Sequence, residues 1–231
     1  MTAPPKIRVV CATREPAGAF ATATALGKSL ALYKPYAFAE LKLFSGNSHG
    51  LPQLYNSVIR DSRSDPAVLV FAHDDVHLCD FYWPDQLLGG LAAFDIVGLA
   101  GNRRRVPRQP SWAFVDERGT WDERANLSGI IGHGRGFPCD TLNFFGPPGQ
   151  EVKLLDGVML AARSETLLAK GLFFDERFDF HFYDLDFCRQ AEQKKVRMGT
   201  WPISAVHESG GGFSGPSWKS GYAKYLEKWG A

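Results

Sequence analysis

Segments typical of strands alternate with segments typical of helices over the first hundred residues, and this order constrains the fold more than any other feature of the chain. The uninterrupted apolar run at 68–71 is typical of a buried strand, whereas 51–58 places apolar side chains at helical spacing. Successive parallel strands need a crossover connection, which is usually a helix. The pattern therefore predicts an α/β fold with a mainly parallel central sheet and helices on both faces.

The predicted elements continue beyond residue 100, with one long interruption. Strands are predicted at 6–13, 36–44, 68–71, 95–101, 152–163 and 197–207, and helices at 14–33, 51–62, 81–94, 164–171 and 183–196. Ser164 is predicted to be the N-cap of its helix, because a serine oxygen can accept a hydrogen bond from the first turn. We expect one domain that covers residues 1–231.

Residues 102–150 differ from the rest of the chain because they are rich in glycine, proline and arginine and show no helical period. They predict an irregular, loop-rich region, with a hairpin at 112–121. Loops of this length inside a domain are usually functional. The cluster Arg103–Arg105 with Arg108 has two open interpretations, a solvated loop or an anion clamp for a phosphate.

Composition and charge exclude several classes of protein. The formal net charge of +1 gives no general attraction to nucleic acid or to acidic membranes. No apolar run reaches the roughly 20 residues of a membrane helix, and the N-terminal residues do not resemble a signal peptide. The four cysteines are scattered without a CxxC pair, which favours reduced thiols over a zinc site. We expect a cytoplasmic protein with no membrane span and no nucleic-acid partner.

Acidic and imidazole side chains follow the apolar strand at 68–71 directly, at His73, Asp74 and Asp75. In open α/β sheets, ligands bind beyond the carboxyl ends of the strands. Two adjacent carboxylates repel each other, so they need a cation or several N–H donors nearby. One interpretation is that these acids cap the next helix. The other is that they bind a divalent metal through hard oxygen ligands.

Three later features favour a functional site. Asp156 interrupts an apolar segment, Asp184 and Asp186 begin a predicted helix, and His207 precedes a run of glycines. Each has a structural explanation of its own, as a cap, a first-turn acid or a surface histidine. Their occurrence together, after an acid pair at a strand end, favours a ligand site.

The chain resembles the family 2-type glycosyltransferases of GT-A fold, and most closely the branch of the streptomycin-biosynthesis StrF-like domains. The segments that carry this resemblance are 45–59, 68–78, 96–101, 154–163 and 174–212. In that family an Asp-x-Asp triplet binds Mg²⁺ or Mn²⁺ on the diphosphate of a nucleotide-sugar. Here the triplet is 73–75, with His73 in place of the first aspartate.

The resemblance implies a role for each candidate residue. Asp75 and His207 would bind the metal, and Asp184 would be the catalytic base, with Tyr183 in place of the family's glutamate. The implied contacts with the nucleotide-sugar come from Thr13, Glu15, Asn47, Asp74 and Asp156. The glycines at 132–136 are expected to form a mobile loop over the donor.

The resemblance implies an enzyme that moves a sugar from a nucleotide-diphosphate donor, with a UDP-sugar favoured, to a hydroxyl of a glycan or small-molecule acceptor. The transfer would depend on Mn²⁺ or Mg²⁺ and would invert the anomeric configuration. A non-catalytic nucleotide-sugar or glycan-binding module of the same fold is the main alternative. A nucleotidyltransferase is disfavoured, because the first strand is not followed by a glycine-rich basic loop and no Walker motif is present.

Overall fold

The computed structural model describes residues 5–33, 39–210 and 212–230, and its strands form two sheets. The strands are β1 (Ile7–Ala12), β2 (Ala39–Phe44), β3 (Val68–Ala72), β4 (Val76–Leu78), β5 (Ile96–Gly98), β6 (Ala100–Asn102), β7 (Leu127–His133), β8 (Thr141–Gly146), β9 (Glu151–Val152), β10 (Leu154–Leu155), β11 (Met159–Arg163), β12 (Met198–Thr200) and β13 (Ala205–His207). The helices are α1 (Phe20–Ala23), α2 (Ala25–Tyr33), α3 (Leu51–Asp61), α4 (Trp83–Ala93), α5 (Ser164–Ala169), α6 (Tyr183–Gln193) and α7 (Pro216–Trp229), with a 3₁₀ turn at Arg124–Asn126.

The larger sheet has the strand order β2-β1-β3-β11-β5-β12-β9. Strand β1 is parallel to both of its neighbours, and β12 is parallel to β5. Strand β11 is antiparallel to both β3 and β5, and β9 is antiparallel to β12. Five of the seven strands therefore run in the same direction, as predicted for a mainly parallel sheet, with β11 inserted antiparallel near the centre and β9 antiparallel at one edge.

Helices cover both faces of this sheet. On one face, the ring of Tyr55 from α3 lies 4.7 Å from that of Phe71 in β3. Val70 and Val97 both pair with Ala161, so they lie on the opposite face from Phe71. A Cβ added to Gly90 of α4 would lie 3.1 Å from Val97, which places α4 on that second face. The predicted α/β architecture is confirmed.

The smaller sheet has the order β10-β6-β7-β13-β4, with β8 paired to β7. Among the described strands, four connections between the sheets contain three residues or fewer. Only Leu99 separates β5 from β6, and only residues 73–75 separate β3 from β4. Gly129 has a φ of +114°, and a Cβ there would lie 2.2 Å from the carbonyl oxygen of Leu99. This glycine therefore lets β7 approach the first of these connections.

Several predicted strands differ from the observed ones. The single strand at 152–163 is in fact β9, β10 and β11, and Asp156 lies in the turn before β11, not inside a strand. The strands at 95–101 and 197–207 are each divided between the two sheets. The region 102–150 contains the β7–β8 pair, so it is less irregular than predicted. Residues 36–38 of the predicted second strand lie outside the described residues.

Two details of the helices also differ from expectation. Ser164 is the first residue of α5 and not its N-cap, and its hydroxyl oxygen accepts a hydrogen bond from the N–H of Ala67 at 3.0 Å. Helix α7 is not predicted by the analysis above. It contacts α6 through Trp229, whose indole N–H donates to a carboxylate oxygen of Asp186 at 2.8 Å. None of the described helices is long and apolar enough to cross a membrane.

Candidate active site

The connection between β3 and β4 presents His73, Asp74 and Asp75 at the carboxyl end of the parallel strands. The five residues of β3 are all buried, so the first polar side chains of the segment appear where the strand ends. The N–H of His73 donates to the carbonyl of Val158 at 3.1 Å, which fixes the start of the connection against the segment before β11. The predicted position of these side chains at a strand end is confirmed.

Strand β13 brings His207 to Asp75. It pairs with β4 so that His207 lies opposite Val76, and Nε2 of His207 lies 3.2 Å from a carboxylate oxygen of Asp75. Burial is the largest single effect and would raise the pKa of Asp75, but the hydrogen bond and charge of His207, with smaller contributions from Ser209 and His73, together outweigh it and lower the pKa to about 2. Burial would lower the pKa of His207, and its hydrogen bond with Asp75 raises the pKa overall.

His73 is held by Tyr183, the first residue of α6. The Tyr183 hydroxyl donates to the carbonyl of Gly157 at 2.7 Å and lies 2.9 Å from Nε2 of His73. Because the hydroxyl has one proton and donates it to Gly157, the imidazole Nε2–H must donate to the tyrosine oxygen. Burial lowers the pKa of His73, which favours the neutral ring. Its Nδ1 then carries a free lone pair.

Three of these side chains could hold one metal ion. Ligand atoms of His73, Asp75 and His207 all lie within 4.8 Å of one another. The Oδ1 atom of Asp75 is buried and has no hydrogen-bond partner. A buried carboxylate oxygen without a partner is costly unless a cation or donor satisfies it. The predicted metal ligands Asp75 and His207 therefore lie close together. His73, which the sequence analysis noted only as a replacement of the family's first aspartate, lies beside them as a third possible ligand.

Asp184 lies in the first turn of α6 and accepts a hydrogen bond from the N–H of Gly157 at 3.0 Å. The residue before the helix is Phe182, with a φ of 68°, and no side chain caps this terminus. Burial, and secondly the negative charge of Asp156, raise the pKa of Asp184 to about 7. Desolvation therefore outweighs the backbone N–H donors around this carboxylate, which act to lower its pKa.

The neighbouring acid, Asp186, has a structural role. Its side chain is fully buried and lies 2.6 Å from the ammonium of Lys228 in α7. It also accepts hydrogen bonds from Trp229 at 2.8 Å and from the Gln190 amide at 2.7 Å. Asp186 therefore connects α6 to α7. Because its replacement would disturb this contact, Asp186 is unsuitable as a control for replacements of Asp184.

The residues predicted to contact the nucleotide side of the donor form a second group, at the ends of β1, β2 and β3. The Thr13 hydroxyl donates to a carboxylate oxygen of Asp74 at 2.6 Å, and the N–H of Glu15 donates to the Thr13 oxygen at 3.1 Å. The N–H of Asn47 donates to the Thr13 carbonyl at 2.8 Å. The fold thus brings Thr13, Glu15, Asn47 and Asp74 together.

A cavity of about 500 Å³ connects the possible metal ligands with Asp184. Its lining includes all of His73, Asp75, Asp156, Asp184 and His207, but not Thr13, Glu15, Asn47 or Asp74. Within the described ranges, no lysine or arginine lines it. Much of the remaining lining is aromatic, which the sequence analysis missed. Asp156 accepts a hydrogen bond from the N–H of Val158 at 3.1 Å, so its carboxylate is fixed at the edge of this cavity.

The arginine cluster lies elsewhere. Both Asp122 oxygens accept hydrogen bonds from Arg104, and Arg105 donates to Glu192 at 3.1 Å. Arg103 and Arg104 line a separate cavity of about 340 Å³. Of the two interpretations left open by the sequence, the solvated loop fits these ion pairs, and none of these arginines lines the cavity described above, where a phosphate clamp would be needed.

No family model matches the chain, and no curated protein sequence matches it. Matches among solved structures include A197 from STIV, with a TM-score of 0.48 and 10% identity over 84% of this chain and 81% of that one. GalNAc-T7, crystallised with UDP, GalNAc and Mn²⁺, matches with a TM-score of 0.49 and 13% identity over 96% of this chain. TarS of S. aureus matches with a TM-score of 0.43 and 13% identity over 88% of this chain.

The chain spans 48% of GalNAc-T7 and 35% of TarS, and at such low identities these matches assign no activity to it. Its class follows from its own topology, in which a mainly parallel sheet carries polar residues at the carboxyl ends of β1, β2 and β3. The chain is an α/β domain, as predicted, and the GT-A type is the fold that the sequence resemblance implies for it.

Proposed function

We propose that the chain is a metal-dependent glycosyltransferase that moves a sugar from a nucleotide-diphosphate donor to an acceptor hydroxyl, with inversion. The observation that carries this proposal is the unpartnered, buried Oδ1 of Asp75, beside His73 and His207, in a cavity that also contains Asp184. A cation site and a carboxyl with a pKa near neutrality are the two groups that such a transfer needs.

The donor set favours Mn²⁺ over Mg²⁺, since two imidazoles accompany the single carboxylate and Mg²⁺ prefers oxygen ligands. A divalent cation held there would neutralise the charge that develops on the departing nucleoside diphosphate. No lysine or arginine of the described residues lines the cavity. The only side chains there that could neutralise the charge of the diphosphate without a metal are therefore imidazoles. We therefore expect turnover to depend strongly on the metal.

Asp184 is proposed as the general base. Its pKa of about 7 allows it to be deprotonated at neutral pH and still to accept a proton readily from a hydroxyl. The acceptor hydroxyl would attack the anomeric carbon from the face opposite the diphosphate, and this single displacement inverts the configuration. Asp156, fixed by the Val158 N–H, would hold a sugar or acceptor hydroxyl.

The nucleoside is assigned to the group at the ends of β1, β2 and β3, where Thr13, Glu15, Asn47 and Asp74 are linked to one another. A UDP-sugar is the first donor to test, and placement in the StrF-like branch remains a prediction from the sequence resemblance. The acceptor would be a glycan or a small molecule, approached from the side of Asp184.

The test is a panel of UDP-, GDP- and dTDP-sugars, each with Mn²⁺, with Mg²⁺ or with a chelator. We expect one donor to bind by calorimetry and to release nucleoside diphosphate, in both cases only with a divalent cation and best with Mn²⁺. Asp75→Asn should weaken Mn²⁺ binding by roughly 10-fold or more, because it removes one of the three ligands. Asp61→Asn, at an exposed acid that ends α3, is the matched control. Unchanged Mn²⁺ affinity in Asp75→Asn would place the metal elsewhere.

The absence of lysine and arginine among the described residues that line the cavity also favours a second candidate, a binding module without turnover. Such a module would bind nucleoside diphosphate through the metal but would not stabilise the charge of a transition state. Binding of a donor with no release of diphosphate, for any acceptor, would support the module and contradict the enzyme.

A further inference from the structure

Five aromatic side chains form a continuous surface on the side of the cavity that the mechanism above does not use. We name this surface the aromatic wall; it consists of Trp112, Phe114, Trp121, Phe145 and Phe213. The Phe114 ring lies 5.0 Å from Trp121 and 5.1 Å from Phe213, and Trp121 stacks on Phe145 at 5.8 Å. The backbone bridge between Phe114 and Trp121 fixes the centre of the wall.

The wall is incompletely covered by the protein itself. Trp121 is 53% exposed and Phe213 is 48% exposed, although both line the cavity. Large aromatic groups left open to solvent beside a cavity are typical of ligand sites, because their burial by a ligand removes apolar surface from water. The buried Phe145 stacks on Trp121, and the buried Trp112 packs against Phe145 at 5.0 Å.

The charge of the cavity restricts what this surface can bind. Its lining contains Asp156, Asp184 and Glu208 in addition to Asp75, and the described residues contribute no lysine or arginine to it. A ligand with its own carboxylates or phosphates on this side would face these acids without a counter-charge. The occupant should therefore carry no negative charge where it contacts the wall.

We propose that the aromatic wall is the acceptor subsite, and that it binds the apolar face of an uncharged pyranose ring. A pyranose presents C–H groups on its face and hydroxyls at its edge, so it can pack on aromatic faces while its hydroxyls approach carboxylates such as Asp184. This inference rests on the proposed glycosyl transfer, and it names a neutral carbohydrate as the acceptor.

A nucleobase is the other flat ligand that stacks on aromatic rings. The geometry favours the carbohydrate, because Thr13, Glu15, Asn47 and Asp74 lie at the ends of the parallel strands and do not line the cavity that contains the wall. The nucleobase is therefore assigned to the strand ends, and its presence at the wall is one outcome that the experiment distinguishes.

The experiment is binding of the full chain, with Mn²⁺, to an immobilised array of neutral and acidic oligosaccharides. We expect retention on neutral glycans only. A retained neutral glycan is then titrated into protein labelled with 5-fluorotryptophan, and binding is followed by fluorine NMR. The variant Trp121→Phe identifies which resonance belongs to Trp121. Trp121→Ala should weaken glycan affinity roughly tenfold, and Phe213→Ala should weaken it severalfold. Tyr82→Ala, at an exposed aromatic outside the cavity, should bind like the parent.

Four results would overturn the inference: no retention on any neutral glycan, equal retention on acidic glycans, parental affinity in Trp121→Ala, or displacement of the glycan by UDP. Failure of the proposed function is a separate result. Asp75→Asn should weaken metal-dependent donor binding by roughly tenfold or more but leave glycan binding unchanged, because Asp75 does not belong to the wall. A glycan that binds the wall but receives no sugar would support the subsite and contradict the transfer.

Discussion

The Tyr183 hydroxyl lies 2.9 Å from Nε2 of His73, and this contact assigns the tautomer of the histidine. Since the tyrosine donates its proton to Gly157, His73 must donate from Nε2, and its Nδ1 is left with the lone pair that a metal requires. The two residues at which the sequence departs from the family pattern thus contact each other. Tyr183 is a positioning residue, which acts through His73.

Replacing this tyrosine should therefore weaken the metal site. Tyr183→Phe removes the acceptor that orients His73, and we expect roughly 10-fold weaker Mn²⁺ binding by calorimetry, as for other groups that support metal ligands. Tyr222→Phe is the matched control, because it also removes a hydrogen bond from a tyrosine hydroxyl to a backbone carbonyl, that of Arg108 at 2.6 Å. Tyr222 does not contact the candidate metal ligands through this bond. Equal Mn²⁺ affinity in both variants would remove His73 from the site.

Loss of the proposed base should affect chemistry more than binding. Asp184→Asn retains the side chain's size and its contact with the Gly157 N–H but cannot accept a proton, so we expect turnover to fall roughly 10²-fold or more with near-parental donor affinity. Asp85→Asn is the matched control, since Asp85 is also an acid in a helix's first turn, in α4. Near-parental transfer by Asp184→Asn would contradict the base assignment.

The rate should increase with pH through the pKa of Asp184. Only the carboxylate accepts a proton, and burial with Asp156 nearby raises the pKa of Asp184 to about 7, so kcat/KM should fall below that pH. A divalent cation in the same cavity would stabilise the carboxylate, which makes about 7 the upper limit for this titration in the loaded protein. A pH–rate profile with saturating Mn²⁺ measures it; a flat profile from pH 5 to 8 would argue against a base with this pKa.

Asp186→Asn should reduce stability instead of chemistry. The fully buried carboxylate pairs with Lys228 and accepts the Trp229 N–H, so its loss should cost about 2 kcal/mol of unfolding free energy. Urea denaturation provides the measurement, and Asp85→Asn should change stability by less than about 0.5 kcal/mol. If the two variants unfold at the same urea concentration, the contact between α6 and α7 contributes little.

The sequence predicted the parts of the site that depend on strand ends. Asp75 follows a run of buried residues, and the carboxyl end of a parallel strand is where a ligand is expected, so its place required no tertiary information. His207 was assigned as a second metal ligand only through the family resemblance. His73 and Tyr183 were recognised as departures, but their contact joins residues 110 positions apart, and no local pattern encodes it.

Other features depend on packing that a single sequence does not show. The predicted strand at 95–101 is divided between the two sheets at Leu99, a residue with no turn tendency. The division occurs where Gly129 allows β7 to pack closely against the Leu99 backbone. The pKa of Asp184 depends on its burial and on Asp156, which lies far away in sequence. The aromatic wall combines side chains from three segments, around residues 112–121, 145 and 213, so only the folded chain reveals it.

The candidate metal ligands lie where the chain passes from one sheet to the other. His73 and Asp75 follow β3 of the larger sheet, while His207 ends β13 of the smaller one. An ion bound by all three would act as a cross-link, and it would stabilise the folded chain in proportion to the logarithm of its concentration above Kd. Cellular metal supply would then set how long the β4–β13 pairing survives thermal opening, and hydrogen exchange of its amides would report metal occupancy directly.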